Sequence, residues 1–149
     1  YNINDNKALM KRKHDEEIAS RKMPRRRVLY MDDSKSARML YGRILSDAGW
    51  MVETCSTTEE AFIKLNACPD SYDVVLSDVI TPRYMSTGFE LLRLMKQSQI
   101  GGINLTPFVA TSACLELRTV ALNLGALKFI QKPLTRTDAN ELFVFETFI

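Results

Sequence analysis

The chain has 149 residues, 46% of them hydrophobic and 26% charged, with a net charge of +2. That length holds one hydrophobic core of ordinary size, and the composition excludes a globally disordered or collagen-like chain. The charge is uneven: residues 1–27 carry nine Lys/Arg against four Asp/Glu, and the rest carry eleven against fourteen. The body is therefore mildly acidic and no direct nucleic-acid contact is expected of it, while the basic arm could touch an anionic partner.

No apolar run approaches the roughly 18–20 residues that cross a bilayer, and the first residues lack the apolar core of a signal peptide. A cytoplasmic protein with no membrane partner is expected. Cys55, Cys68 and Cys114 are odd in number and lack C-x-x-C spacing, which points to ordinary thiols rather than a disulfide framework or a zinc site. His14 lies in the charged arm with no cage of apolar or acidic residues and reads as a solvated side chain. Residues 1–26, poor in apolar residues and ending at Pro24 and an arginine run, read as a charged linker or helical extension. The domain is placed at 27–149, and the initial Tyr1 suggests a segment of something longer.

From Val28 onward, short apolar runs alternate with stretches at helical spacing. Val28 to Met31 reads as a buried strand; Ala37, Leu40, Tyr41, Ile44, Leu45 and Ala48 then recur at steps of three and four and mark a helix. Trp50 to Cys55 alternates as a second strand, and Ser56 to Glu59 offers a capping box for a helix presenting Ala61, Phe62 and Leu65. Val74 to Leu76 is the third strand. A turn-rich loop through Pro82 and Gly88 leads to a helix carrying Leu91, Leu92 and Met95.

Pro107 to Ala110 is the fourth strand, and Leu117, Val120, Ala121 and Leu124 mark a helix that Gly125 can terminate. Leu127 to Ile130 is the fifth strand, and Thr135 to Ile149 a last helix. Its Leu142, Phe143, Val144, Phe145, Phe148 and Ile149 cannot all face one core, so part of that surface is expected to meet another body. Five strands alternating with five helices predict an α/β fold: a parallel sheet covered on both faces.

In such a sheet, functional residues gather beyond the C-terminal ends of the strands. Asp32 and Asp33 stand at the end of the first strand, Asp78 at the third, Thr111 and Ser112 at the fourth, and Gln131 and Lys132 at the fifth. Three carboxylates crowded together raise one another's pKa unless a cation sits among them. One Mg²⁺ and the Lys132 ammonium balance the charge of Asp32, Asp33 and Asp78, and Mg²⁺ suits hard carboxylate oxygens. A carboxylate can accept a phosphoryl group, and that transfer calls mainly for positioning and charge neutralisation. Asp78 is the expected nucleophile, with Mg²⁺, Lys132 and the Ser112 hydroxyl on the phosphoryl oxygens. Each member has a plainer reading alone: Asp32-Asp33 as a helix cap, Asp78 as a turn residue, Ser112 as a cap, Lys132 as a surface lysine.

Asp32-Asp33, Asp78 with Pro82, Ser112-Ala113 and Lys132-Pro133, in this order and each at a strand end, resemble the response-regulator receiver family from about Arg27 to the end. The resemblance implies a flavodoxin-like (βα)₅ doubly wound sheet with strand order 2-1-3-4-5. It implies that Asp33 and Asp78 bind Mg²⁺ directly, that Asp32 acts largely through water, and that the Ile80 carbonyl completes the protein ligands. It also gives Ser112 and Phe129 the role of switch residues. The implied partner is a sensor histidine kinase or histidine phosphotransfer protein, and the family suggests a homodimer through the fourth helix, fifth strand and fifth helix.

Thr81 stands where the family usually has Met, and the loop from Asp78 to Gly88 is about two residues longer than usual. Ile80 and Cys114, at positions that modulate phosphoryl lifetime in the family, are of low polarity and predict slow self-dephosphorylation. Two other readings stand beside this one. A receiver-shaped scaffold that signals without phosphorylation would have lost an acid or the lysine, and none is lost. A haloacid-dehalogenase-like phosphohydrolase would carry D-x-D after the first strand, where this chain has adjacent acids.

Overall fold

The structure, a computed structural model, describes residues 6–9, 26–79 and 87–145. Residues 6–9 are helical; the other expectations that fall on 1–25, on 80–86 (Ile80, Thr81 and Pro82 among them) and on 146–149 (with Phe148 and Ile149) lie outside the described residues.

Strands β1 (Arg27–Met31), β2 (Met51–Cys55), β3 (Val74–Asp78), β4 (Phe108–Ser112) and β5 (Lys128–Gln131) form one sheet in the order β2-β1-β3-β4-β5. All four pairings are parallel. Between them run α1 (Lys35–Asp47), α2 (Thr58–Ala67), α3 (Thr87–Gln97) and α4 (Leu117–Asn123), with a 3₁₀ turn at Ile103–Leu105, and α5 (Arg136–Asn140) follows β5. Every residue of β3 and β4 is buried, as continuous apolar runs in the middle of a doubly covered sheet require.

Side chains alternate across a strand, and the core divides accordingly. Leu29, Met31, Val75, Phe108 and Ala110 pack with Ala61 and Leu65 of α2, Leu91 and Met95 of α3 and Ala121 of α4. Val28, Tyr30, Val74, Leu76, Val109 and Ile130 pack on the opposite face with Leu45 of α1 and Ala139 of α5. Trp50, 4% exposed, joins this second layer, and its indole N–H donates to the Ala139 carbonyl at 2.8 Å.

The helix ends follow local chemistry. Ser34 caps α1 by accepting the Ala37 amide, and Thr135 caps α5 in a reciprocal box with Asp138. The box expected at Ser56–Glu59 is shifted by one residue. Thr57 is the cap and accepts the Glu60 amide, while the Glu60 carboxylate accepts both the amide and the hydroxyl of Ser56, so the shifted arrangement satisfies an additional donor. Gly125, at φ +109°, ends α4: its amide and that of Ala126 reach back to the carbonyls of Leu122 and Ala121.

Two expectations about apolar stripes need correction. Leu40 is 57% exposed, because the first turns of α1 overhang the C-terminal edge of the sheet; Val120 and Leu124 are 45% and 50% exposed, because the seven-residue α4 turns only a narrow face inward. The last helix does not run from Thr135 through the end of the described chain: α5 stops at Asn140 and turns follow at 141–143. A run of aromatic and β-branched residues is a poor helix former. Leaving the helix lets Leu142 bury fully and Phe145 pack on the core while Val144 faces outward, 62% exposed. The Lys128 ammonium donates to the carbonyls of Glu141 and Val144, satisfying acceptors left by the early stop.

Candidate functional site

Backbone ladder bonds continue one step past the strand ends and fix the site's main chain. The Asp32 amide donates to Cys55 at 3.1 Å, the Val79 amide to Thr111 at 3.0 Å, and the Lys132 amide to Ser112 at 2.8 Å. The loops leaving β1, β3 and β5 are thereby held in register where they begin. The Lys132–Pro133 peptide is cis.

Asp32, Asp33, Asp78 and Lys132 line one cleft of about 280 Å³, together with Ser36, Leu40 and Tyr41 of α1. Each of the three aspartates offers a carboxylate oxygen, and these oxygens lie within 4.8 Å of one another. Asp32 is 1% exposed, Asp78 9%, and Asp33 is open to solvent. Since Ser34 is the helix cap, the two adjacent acids stand ahead of α1 and are not consumed in capping it.

Asp32 is the most heavily bonded of the three. Its Oδ2 accepts the Tyr30 hydroxyl at 2.7 Å and the Lys132 ammonium at 2.8 Å; its Oδ1 accepts the Ser34 amide at 2.9 Å. The Arg38 guanidinium donates to its main-chain carbonyl at 2.8 Å. Lys132 also lies 3.5 Å from Asp78 Oδ2 and stands over the Tyr41 ring, 5.6 Å from its centroid. Burial pulls the Lys132 ammonium down, but its bond to Asp32 and the charges of Asp78 and Asp32 outweigh that, so its pKa moves up and the side chain is a firm cation. Burial, reinforced by the Asp32 carboxylate, likewise raises the Tyr30 phenol far above its ordinary value and keeps it a donor.

A single lysine cannot balance three carboxylates. The donor set is all oxygen and open to solvent on the Asp33 side, which fits Mg²⁺ or another small hard divalent cation and does not fit zinc or copper.

Ser112 and Phe129 do not line this cleft. Ser112 ends β4, fully buried, and its hydroxyl accepts the Cys114 amide at 2.9 Å; the neighbouring Thr111 hydroxyl donates to Ile130 at 2.8 Å. Phe129 pairs in register with Ala110 and is half-buried against the α2–α4 layer. Ile80 lies outside the described residues. Sequence reasoning took Tyr30 and Tyr41 for core residues and passed over Arg38. The signal for Tyr30 was there: residues two apart on a strand share a face, so a phenol at 30 and an acid at 32 must neighbour each other.

A family model described as the response regulator receiver domain matches residues 28–143. The chain is 35% identical over 97 residues to the gliding motility regulatory protein of Myxococcus xanthus, covering 65% of this chain and 11% of that protein. It is 28% identical over 109 residues to the sensory/regulatory protein RpfC of Xanthomonas campestris, covering 72% of this chain and 14% of that one. It therefore spans only a small part of the length of these curated relatives. Among solved structures, the chemotaxis response regulator CheY4 of Vibrio cholerae superposes with a TM-score of 0.64 at 29% identity, over 78% of this chain and 94% of that one. Fold, strand order and match agree with a flavodoxin-like receiver, a family in which Mg²⁺ and phosphorylation are typical. With residues 28–143 matched by the family model and the same fold in the solved structures, the chain belongs to the response regulator receiver family of two-component signalling.

Proposed function

We propose that this chain is a phosphoryl-accepting switch in which Asp78 takes a phosphoryl group from a sensor histidine kinase or a histidine phosphotransfer protein. The observation that carries this reading is the grouping of Asp32, Asp33 and Asp78 oxygens within 4.8 Å, with the Lys132 ammonium reaching both Asp32 and Asp78. Asp32, Asp33 and Asp78 would hold Mg²⁺, with the Ile80 carbonyl completing the protein ligands. When bound, Mg²⁺ offsets the negative charge on the phosphoryl oxygens and on the carboxylates.

An Asp78 carboxylate oxygen attacks phosphorus, the P–N bond to the donor imidazole breaks, and the imidazole leaves with the bonding pair and takes up a proton. Lys132 neutralises charge on a phosphoryl oxygen, which requires it to move its main contact from Asp32 toward Asp78. Ser112 exchanges its bond with the Cys114 amide for one to the phosphoryl group, and Phe129, only half-buried, turns further inward. The protein is then a signalling switch that assists its own phosphorylation and dephosphorylation, not an enzyme with an external substrate. Its working unit is read as residues 27–149, with 1–26 a charged linker or helical extension. The exposed Val120, Leu124 and Leu127 support a homodimer through α4, β5 and α5.

The test is incubation with Mg²⁺ and acetyl phosphate followed by intact mass measurement. The wild type gains about 80 Da, one phosphoryl group, and Asp78→Asn does not. An adduct that persists in Asp78→Asn sinks the assignment.

A further inference from the structure

Among the described residues, one buried hydroxyl reaches the carboxylate of a proposed ligand and has no part in the function above. Tyr30 is 0% exposed near the C-terminal end of β1, yet it carries a hydroxyl into the core and spends it on Asp32. The phenol is held on its own account: its ring packs among Val28, Leu45 and Leu76 and meets Tyr41 edge-on at 6.5 Å and 61°. It therefore does not follow Asp32; Asp32 conforms to it.

The lone pairs of Asp32 can be counted. Each carboxylate oxygen accepts about two hydrogen bonds. Oδ2 is filled by the Tyr30 hydroxyl at 2.7 Å and Lys132 at 2.8 Å, while Oδ1 is half-filled by the Ser34 amide at 2.9 Å. Of the three donors, Lys132 must leave for the reaction and the Ser34 amide fixes only Oδ1, so Tyr30 alone keeps Oδ2 turned inward throughout.

We propose that Tyr30 is a positioning residue of the cation site: its buried hydroxyl locks the Asp32 carboxylate so that Asp32 presents one open lone pair, on Oδ1, to a divalent cation or to a water that the cation holds. This rests on the reading that Asp32, Asp33 and Asp78 bind such a cation. Outer-shell partners of this kind orient ligands, and their loss weakens metal binding without removing a ligand. Without the phenol, Asp32 can rotate about its terminal torsion and lean toward Lys132, and the pre-set geometry is lost.

The experiment is calorimetric titration of the full chain with Mg²⁺, wild type against Tyr30→Phe, which keeps the ring and removes only the hydroxyl. Binding weakens roughly tenfold in the variant, at the low end of outer-shell effects. The Mg²⁺ concentration that half-saturates acetyl phosphate labelling rises by the same factor, while the labelling rate at saturating Mg²⁺ changes by less than about threefold, the pattern of lost binding rather than lost chemistry. A variant that folds and binds Mg²⁺ within about twofold of wild type overturns the proposal. A second measurement needs no variant to fold: in wild type labelled with ¹³C at tyrosine Cζ, the Tyr30 resonance moves with Mg²⁺ and saturates with the calorimetric curve. A Tyr30 signal that stays still while heat is released overturns the proposal and leaves the cation reading standing. No heat in the wild type overturns the cation reading and this inference together.

Discussion

Replacing Asp33 by Asn is expected to make the metal-free protein more stable, the opposite of what most substitutions do. The carboxylate oxygens of Asp32, Asp33 and Asp78 lie within 4.8 Å of one another. At that separation each like-charge pair costs about 0.9 kcal/mol in bulk water and about 3.5 kcal/mol at an effective dielectric of 20. Asp33 is exposed and its two neighbours are buried, so the true value lies between. Lys132 cancels roughly one of the two repulsions that Asp33 feels, and the positive end of α1 favours an acid there by about 0.5 kcal/mol.

The repulsion still wins, leaving about 1 kcal/mol of stabilisation for the variant. No hydrogen bond is lost, since the Asp33 carboxylate has no partner among the described residues. Urea unfolding followed by Trp50 fluorescence, in the presence of a chelator, reads the difference. Saturating Mg²⁺ should reverse the order, because a ligand at a hundred times its Kd stabilises the wild type by about 2.7 kcal/mol and the variant much less. A variant as stable as the wild type, or less so, in chelator would show that Asp33 serves the start of α1 rather than a crowded cation site.

Gly88→Ala should destabilise the fold by about 1–3 kcal/mol or more, since its Cβ would overlap the Asp78 carbonyl oxygen, a main-chain atom that cannot swing aside; denaturation by circular dichroism measures this. Trp50→Phe should cost roughly 1–3 kcal/mol, because it removes the indole donation to the Ala139 carbonyl and leaves part of the second core layer unfilled. Stability should decline in alkali. Burial pushes the Cys55 thiol from 9.0 up to about 12, and Tyr30 and Lys132 are also raised, so the folded state holds protons that the unfolded chain releases. Stability is then full below pH 9 and is lost as pH rises toward 12, and Cys55→Ala should flatten that slope in pH-dependent unfolding curves. Phosphorylation should raise the dimer fraction in sedimentation, and Leu124→Glu on the α4 face should abolish the rise.

The five strands and the order of their acidic and basic ends were legible in the sequence because period and position are local properties: Val74 to Leu76 can only be a buried strand, and Asp78 can only stand at its end. The caps at Ser34 and Thr135 are local as well, their hydroxyls accepting amides three residues on, although the sequence offered Asp32-Asp33 for the first of them. The tail after Asn140 was not legible, because Leu142 and Phe145 leave helical geometry to fill the sheet's second layer, a choice made by packing and not by period. Nor was the pairing of Lys132 with Asp32, a hundred residues apart, which exists because the parallel strands end on one edge and the lysine reaches from the end of β5, past β4 and β3, to the end of β1.

The chemical types at the site were written in the chain, but which oxygen of Asp32 is open was decided only when Tyr30, Ser34 and Lys132 converged on one carboxylate. A lone pair's availability depends on every donor within about 3 Å, and those donors come from two stretches of the sequence about a hundred residues apart.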